Sequence, residues 1–165
     1  MKKYLLLTPF LMFVSAFLLH FIYDIFNQNI LIGFISPINE SIFEHTKLIL
    51  TPLTICYGYY YIKNKNYINS EKYMFVSLIS ILLGIISVPM YYYTYTQALG
   101  INVMIIDIII TYLSLITANI FFLNYYNNYE FKIKKNITII IYIVIFIFYI
   151  YASLYQINLP IFIPN

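Results

Sequence analysis

Five apolar stretches dominate this 165-residue chain, at about 4–23, 42–62, 73–93, 103–126 and 137–155. Each is long enough to cross a bilayer's hydrocarbon core, which takes roughly 20 helical residues. Backbone amides meet no water there, so a span must be a helix or part of a closed barrel. Runs such as IVIFIFYIYASLY lack the in–out alternation of barrel strands. The expected fold class is all-α: one transmembrane domain over residues 1–165, an integral membrane bundle of five helices. Only 9% of the residues are charged, whereas soluble domains carry about a quarter. That scarcity argues against a soluble enzyme, a disordered chain or a nucleic-acid binder.

The lysines set the orientation. Lys2 and Lys3 precede the first stretch, Lys63, Lys65 and Lys72 flank the second connection, and Lys132, Lys134 and Lys135 lie in the fourth. With five crossings these three places share one side, and the positive-inside rule makes that side the cytoplasm. The N-terminus is then inside, the tail INLPIFIPN outside, and the expected location is a bacterial plasma membrane. Expected partners are membrane lipid and a possible homo-oligomer, with no nucleic acid. The tyrosine clusters YGYYY, YYYTY and YYNNY fall near span ends, where tyrosine anchors at the membrane–water interface. Val14-Ser15-Ala16 resembles a signal-peptide cleavage site, but the apolar run continues to about Tyr23, which favours a retained span.

Polar residues concentrate at the outer ends of the spans. Glu71 and Glu130 sit beside lysines in inner loops; His20, Asp24, Glu40, Glu44, His45, Lys47 and Asp107 all fall on the other side. Charged groups at membrane depth usually face the bundle or a wet cavity. Treated as one helix, Glu40, Glu44, Lys47, Thr51, Thr54 and Gly58 lie within about 40° of one line. Asp107, Thr111, Ser114 and Ala118 form a second stripe, His20 and Asp24 an i, i+4 pair, and Ser77, Ser80, Gly84 and Ser87 a third small-residue face. Spans one to four are thus expected to surround a polar centre that opens outward. The fifth shows almost no polar face and is expected at the periphery. His45, about 100° from Glu44, is expected to turn toward the first span or the outer loop. Ser41-x-x-Glu44 fits a capping box, and Glu44–Lys47 an i, i+3 ion pair.

The segment Pro37-Ile-Asn-Glu-Ser-Ile-Phe-Glu-His-Thr-Lys-Leu48 resembles a P-x-N-E-S-x-W-E-H-x-K-L motif, with Phe43 in the tryptophan position. This motif marks a small family of uncharacterised bacterial multi-pass membrane proteins, a domain of unknown function. His20 and Asp24 before it, and Asp107 after it, match the same arrangement, as do Asn39, Glu40, Ser41, Glu44, His45 and Lys47. The resemblance implies a multi-pass fold and brings no activity with it.

Three functions compete. The polar cluster serves a structural or partner-binding role, which is the leading expectation. Alternatively it builds a metal-dependent outer-leaflet enzyme, with His20, Asp24, Glu44, His45 and Asp107 as candidate ligands of zinc or a similar divalent ion. In the third reading the intramembrane carboxylates serve an ion or small-solute transporter.

Overall fold

The computed structural model describes residues 2–128, 130, 133–155 and 157–164, with side chains from Thr8 onward. Tyr129 and Lys132, used above for the interfacial belt and the orientation, lie outside the described residues. Five long helical segments cover the five apolar stretches, and no strand occurs among the described residues. They are α1 (Lys2–Ile25), the pair α3 (Ile42–His45) and α4 (Lys47–Asn64), α5 (Ser70–Leu99), α6 (Met104–Asn128) and α7 (Lys135–Leu154). A short helix α2 (Ile30–Gly33) sits in the first connection, and a 3-10 turn (Pro160–Phe162) in the tail. Four of them, α1, α5, α6 and α7, are long and apolar enough to cross a membrane. The stretch at 42–62 is helical on both sides of Thr46, but its Thr, Tyr and Lys residues make it less apolar.

Local chemistry explains where the helices stop. Asn27 and Gln28 adopt positive φ, and Asn27 N donates to Asp24 O while Gln28 N donates to Tyr23 O, a Schellman ending of α1. Asn69 caps α5 by accepting from Lys72 N, and Gly100 ends it at φ +67°, a conformation that suits glycine. The second stripe's carboxylate, Asp107, therefore enters in the first turn of α6, where the helix dipole favours negative charge.

Helices α1, α4, α5 and α6 pack around a core that includes Ile49, Leu53, Val76, Ile81, Leu115 and Phe122. Gly84 of α5 permits the closest approach: a Cβ there would lie 2.8 Å from Ile49, 3.2 Å from Ala118 and 3.3 Å from Leu53. The small-residue face of α5 thus works in helix packing. Helix α7 docks chiefly on α5 and leaves Ile140, Ile143, Val144 and Ile147 exposed on its outer side.

One expectation about α7 needs correction. Thr138, Tyr142, Tyr149 and Ser153 line up on one face of it, and three of them make polar contacts with the rest of the bundle. Tyr142 Oη and Ser77 Oγ lie 3.0 Å apart, Tyr149 Oη and Thr46 Oγ1 2.6 Å, and Ser153 Oγ donates to Glu44 Oε1 at 3.0 Å. Counting tyrosines only as interfacial anchors concealed this face. The tail also returns to the bundle: Ser41 pairs with Pro164 in an isolated bridge, and the Phe43 and Phe162 rings lie 4.4 Å apart.

Candidate functional site: a buried ion pair and a histidine–carboxylate cluster

The polar residues gather at the end of the bundle where α1 stops, α3 begins, α5 stops and α6 begins. There the segment Pro37–Leu48 is divided by the start of a helix. Ser41 caps α3, its Oγ accepting from Glu44 N at 3.3 Å. The reciprocal half of the capping box is absent, because Ser41 N donates to Asn39 Oδ1 at 2.9 Å. Glu44 is thereby released for another task, and Glu40 lies before the helix rather than on its first turn. The single stripe running from Glu40 to Gly58 therefore does not exist.

Glu44 and Lys47 form the first of two separate sites. Lys47 is 0% exposed and Glu44 2%. Lys47 Nζ donates to Glu44 Oε2 at 2.5 Å, Gly33 O at 2.6 Å and Ser36 O at 3.3 Å, so its three donor positions are filled. Glu44 Oε2 also accepts from Ile38 N at 3.0 Å, and Oε1 from Ser153 Oγ. One turn on, Thr51 Oγ1 donates to Ile35 O at 2.7 Å. The stripe Glu44–Lys47–Thr51 thus faces the connection 33–38, not the bundle centre. It fastens that connection to α3, α4 and α7. Ser153 was invisible to sequence reasoning, since a lone serine near a helix end carries no signal.

The second site holds His20, Glu40 and His45, whose ligand atoms all lie within 4.8 Å of one another. Glu40 Oε1 is 3.9 Å from His20 Nε2, and Glu40 Oε2 is 3.4 Å from His45 Nε2. The two imidazole rings are 5.3 Å apart. His45 has turned toward α1. Its Nδ1 lies 2.9 Å from Ser41 O, and a carbonyl can only accept, so Nδ1 carries a proton; in the neutral imidazole Nε2 is then the nitrogen with the lone pair. A backbone carbonyl that fixes the tautomer in this way is a common support for a metal-ligating histidine. His20 Nδ1 is buried with no hydrogen-bond partner among the described residues. Glu40 is 66% exposed, so the cluster is open on one side.

These three residues help to line a cavity of about 540 Å³. Asp107, Asn102 and Tyr92 also line it, while Phe13, Ala16, Leu48, Val88 and Ile110 supply apolar lining. Asp107 Oδ1 accepts from Tyr95 Oη at 2.6 Å, which answers the need of a carboxylate at depth for a partner. Tyr95 Oη also reaches Asn102 Oδ1 at 3.0 Å, and Asn102 Nδ2 donates to Tyr92 Oη at 3.1 Å. Of the polar residues singled out from sequence, His20, Glu40, His45, Asp107 and Thr111 line this cavity. Asn39 and Ser41 shape the turn, Glu44 and Lys47 are sequestered from the cavity, and Asp24 is exposed at the end of α1. Tyr95 and Asn102 were missed because an interfacial tyrosine and a loop asparagine look ordinary in sequence.

No curated protein and no solved structure matches the chain. The model of a family does match, over residues 1–165, and its description is "Family of unknown function (DUF6512)". With its whole length covered, the chain belongs to that family of unknown function.

Proposed function

We propose that this chain is a five-span membrane protein that holds a divalent cation, zinc or a similar ion, between His20, Glu40 and His45. The carrying observation is the convergence of two imidazoles on the two oxygens of one carboxylate, in the lining of a partly apolar cavity. Two histidines and one carboxylate suit a catalytic zinc, or another divalent ion with open coordination positions. Such an ion polarises a carbonyl or phosphoryl oxygen, or lowers the pKa of bound water. Asp107 lines the same cavity and would be the second carboxylate available to the reaction.

This reading divides the cluster. The Glu44–Lys47 pair answers to a structural role, because every polar atom in it is engaged with protein. The His20–Glu40–His45 group is partly open, and its ligand atoms lie within 4.8 Å of one another. The proposal therefore favours a metal-dependent role for the second site over a purely structural one. Elemental analysis of the detergent-purified protein tests it. Close to one zinc or manganese per chain is expected, after purification without chelators or after adding the ion back, with loss in His20→Ala. A folded wild-type protein that takes up neither ion would sink the reading.

In the proposed topology the N-terminus is cytoplasmic and the site faces outward across a bacterial plasma membrane, in contact with lipid. The lysine distribution supports this orientation. In a Cys56→Ser background, a membrane-impermeant maleimide should label Gln28→Cys on intact cells and Asn66→Cys only after lysis. The opposite pattern would invert the protein.

A further inference from the structure

The cavity beside the histidines differs from a plain ion site in being far larger than a cation and apolar over much of its lining. At about 540 Å³ it falls in the range that encloses small organic ligands. Phe13, Ala16, Leu48, Val88 and Ile110 come from α1, α4, α5 and α6, so the apolar part is built jointly by the four packed helices. Side chains of two of these helices both line the cavity and are exposed: Phe17 and Phe21 of α1, and Met104 of α6. In a bilayer these exposed apolar side chains meet hydrocarbon. The cavity is thus bordered by polar groups on one part of its wall and by lipid-facing residues on another.

Charge narrows the choice of ligand. Lys47, the nearest lysine in sequence, is fully engaged by Glu44 and two backbone carbonyls, so it offers nothing to an anion. Glu40 and Asp107 bring negative charge. A free anionic solute would find its attraction only at the metal. A molecule with a metal-binding head and an apolar chain would use the whole surface.

We propose that the cavity takes a single-chain amphiphile from the membrane, its head at the His20–Glu40–His45 ion and its chain against Phe13, Ala16, Val88 and Ile110. The inference rests on the metal reading above, and its test separates the two. Zinc-loaded protein in lipid nanodiscs is titrated with octanohydroxamate and acetohydroxamate, which share a zinc-binding head and differ in chain length. Burial of added methylenes favours the longer probe, but so does simple partition into the bilayer. The decisive comparison is therefore with Val88→Phe and, independently, Ala16→Leu, which fill the apolar end. Each variant is first shown by thermal unfolding and zinc stoichiometry to be folded and loaded.

Octanohydroxamate should bind wild type at least about tenfold more tightly than either variant, the scale of about two buried methylenes lost. Acetohydroxamate should bind all three alike. Equal octanohydroxamate affinity in wild type and a loaded variant would overturn the amphiphile proposal while leaving the metal site standing. Should both variants fail to fold, acyl-chain protection decides. A spin-labelled octanohydroxamate should then show a zinc-dependent immobilised component in wild type, and its absence in zinc-loaded protein would overturn the proposal. A wild type that takes up neither zinc nor manganese fails at the earlier step, and the metal reading falls with it.

Discussion

Replacing Lys47 with methionine is expected to destabilise the protein by about 3–5 kcal/mol, the cost of leaving a buried charge without its partner. Removing Nζ strips Glu44 Oε2 of its cation and leaves Gly33 O and Ser36 O without their donor. Denaturant or thermal unfolding in a fixed detergent measures the loss. In many proteins, exchanging both members of a buried ion pair for apolar residues restores stability. That rescue should fail here, because Glu44 also serves Ile38 N and Ser153 Oγ. The double variant Glu44→Leu, Lys47→Leu orphans Ile38 N together with the two carbonyls, while Ser153 Oγ keeps Tyr149 O as an acceptor. Each buried polar group left unsatisfied costs about 1–3 kcal/mol. A double variant as stable as wild type would show that the pair does not fasten the connection 33–38.

His45→Ala should have the opposite signature: little change in stability and a drop of at least about 100-fold in zinc affinity. Mutating the partner that orients a ligand already costs 10–100-fold, and losing the ligand removes that orientation along with a bond to the ion. His45 is a quarter exposed and lines an existing cavity, so its truncation opens no new core void. Competition against a chromophoric chelator gives the affinity, and unfolding in the same detergent gives the stability. Any folded Lys47→Met should in turn keep its zinc stoichiometry. A His45→Ala protein that unfolds readily yet binds zinc as well as wild type would assign this histidine to structure alone.

Much of the candidate site could be read from the chain, because the residues that build it cluster in one short segment and at three helix ends. His20, His45 and Asp107 stand out as polar groups where hydrocarbon is expected. What could not be read was the division of labour between Glu40 and Glu44. A helical wheel places them on one face, as residues four apart always are. In the protein Asn39 and Ser41 bond the backbone locally and start the helix only at Ile42. Glu40 therefore points to the histidines, and Glu44 to Lys47 beneath the connection.

The same contrast runs through the fold. Length, apolarity and the lack of in–out alternation together pointed to helices over the five stretches, because backbone amides in lipid must pair within a helix or a closed barrel. The expected limits lie close to the observed ones, except that α5 extends to Leu99, where Gly100 turns the chain. The polar face of α7, the return of the tail over α3 and the partners of Asp107 came only from tertiary packing. Each depends on a hydrogen bond or ring contact between residues far apart in sequence, such as Thr46 with Tyr149 or Glu44 with Ser153. Sequence determines the local period and the cost of an unpaired group. Which distant group meets that cost is decided when the helices pack, since directional bonds a few ångströms long have no counterpart in the periodicity of the chain.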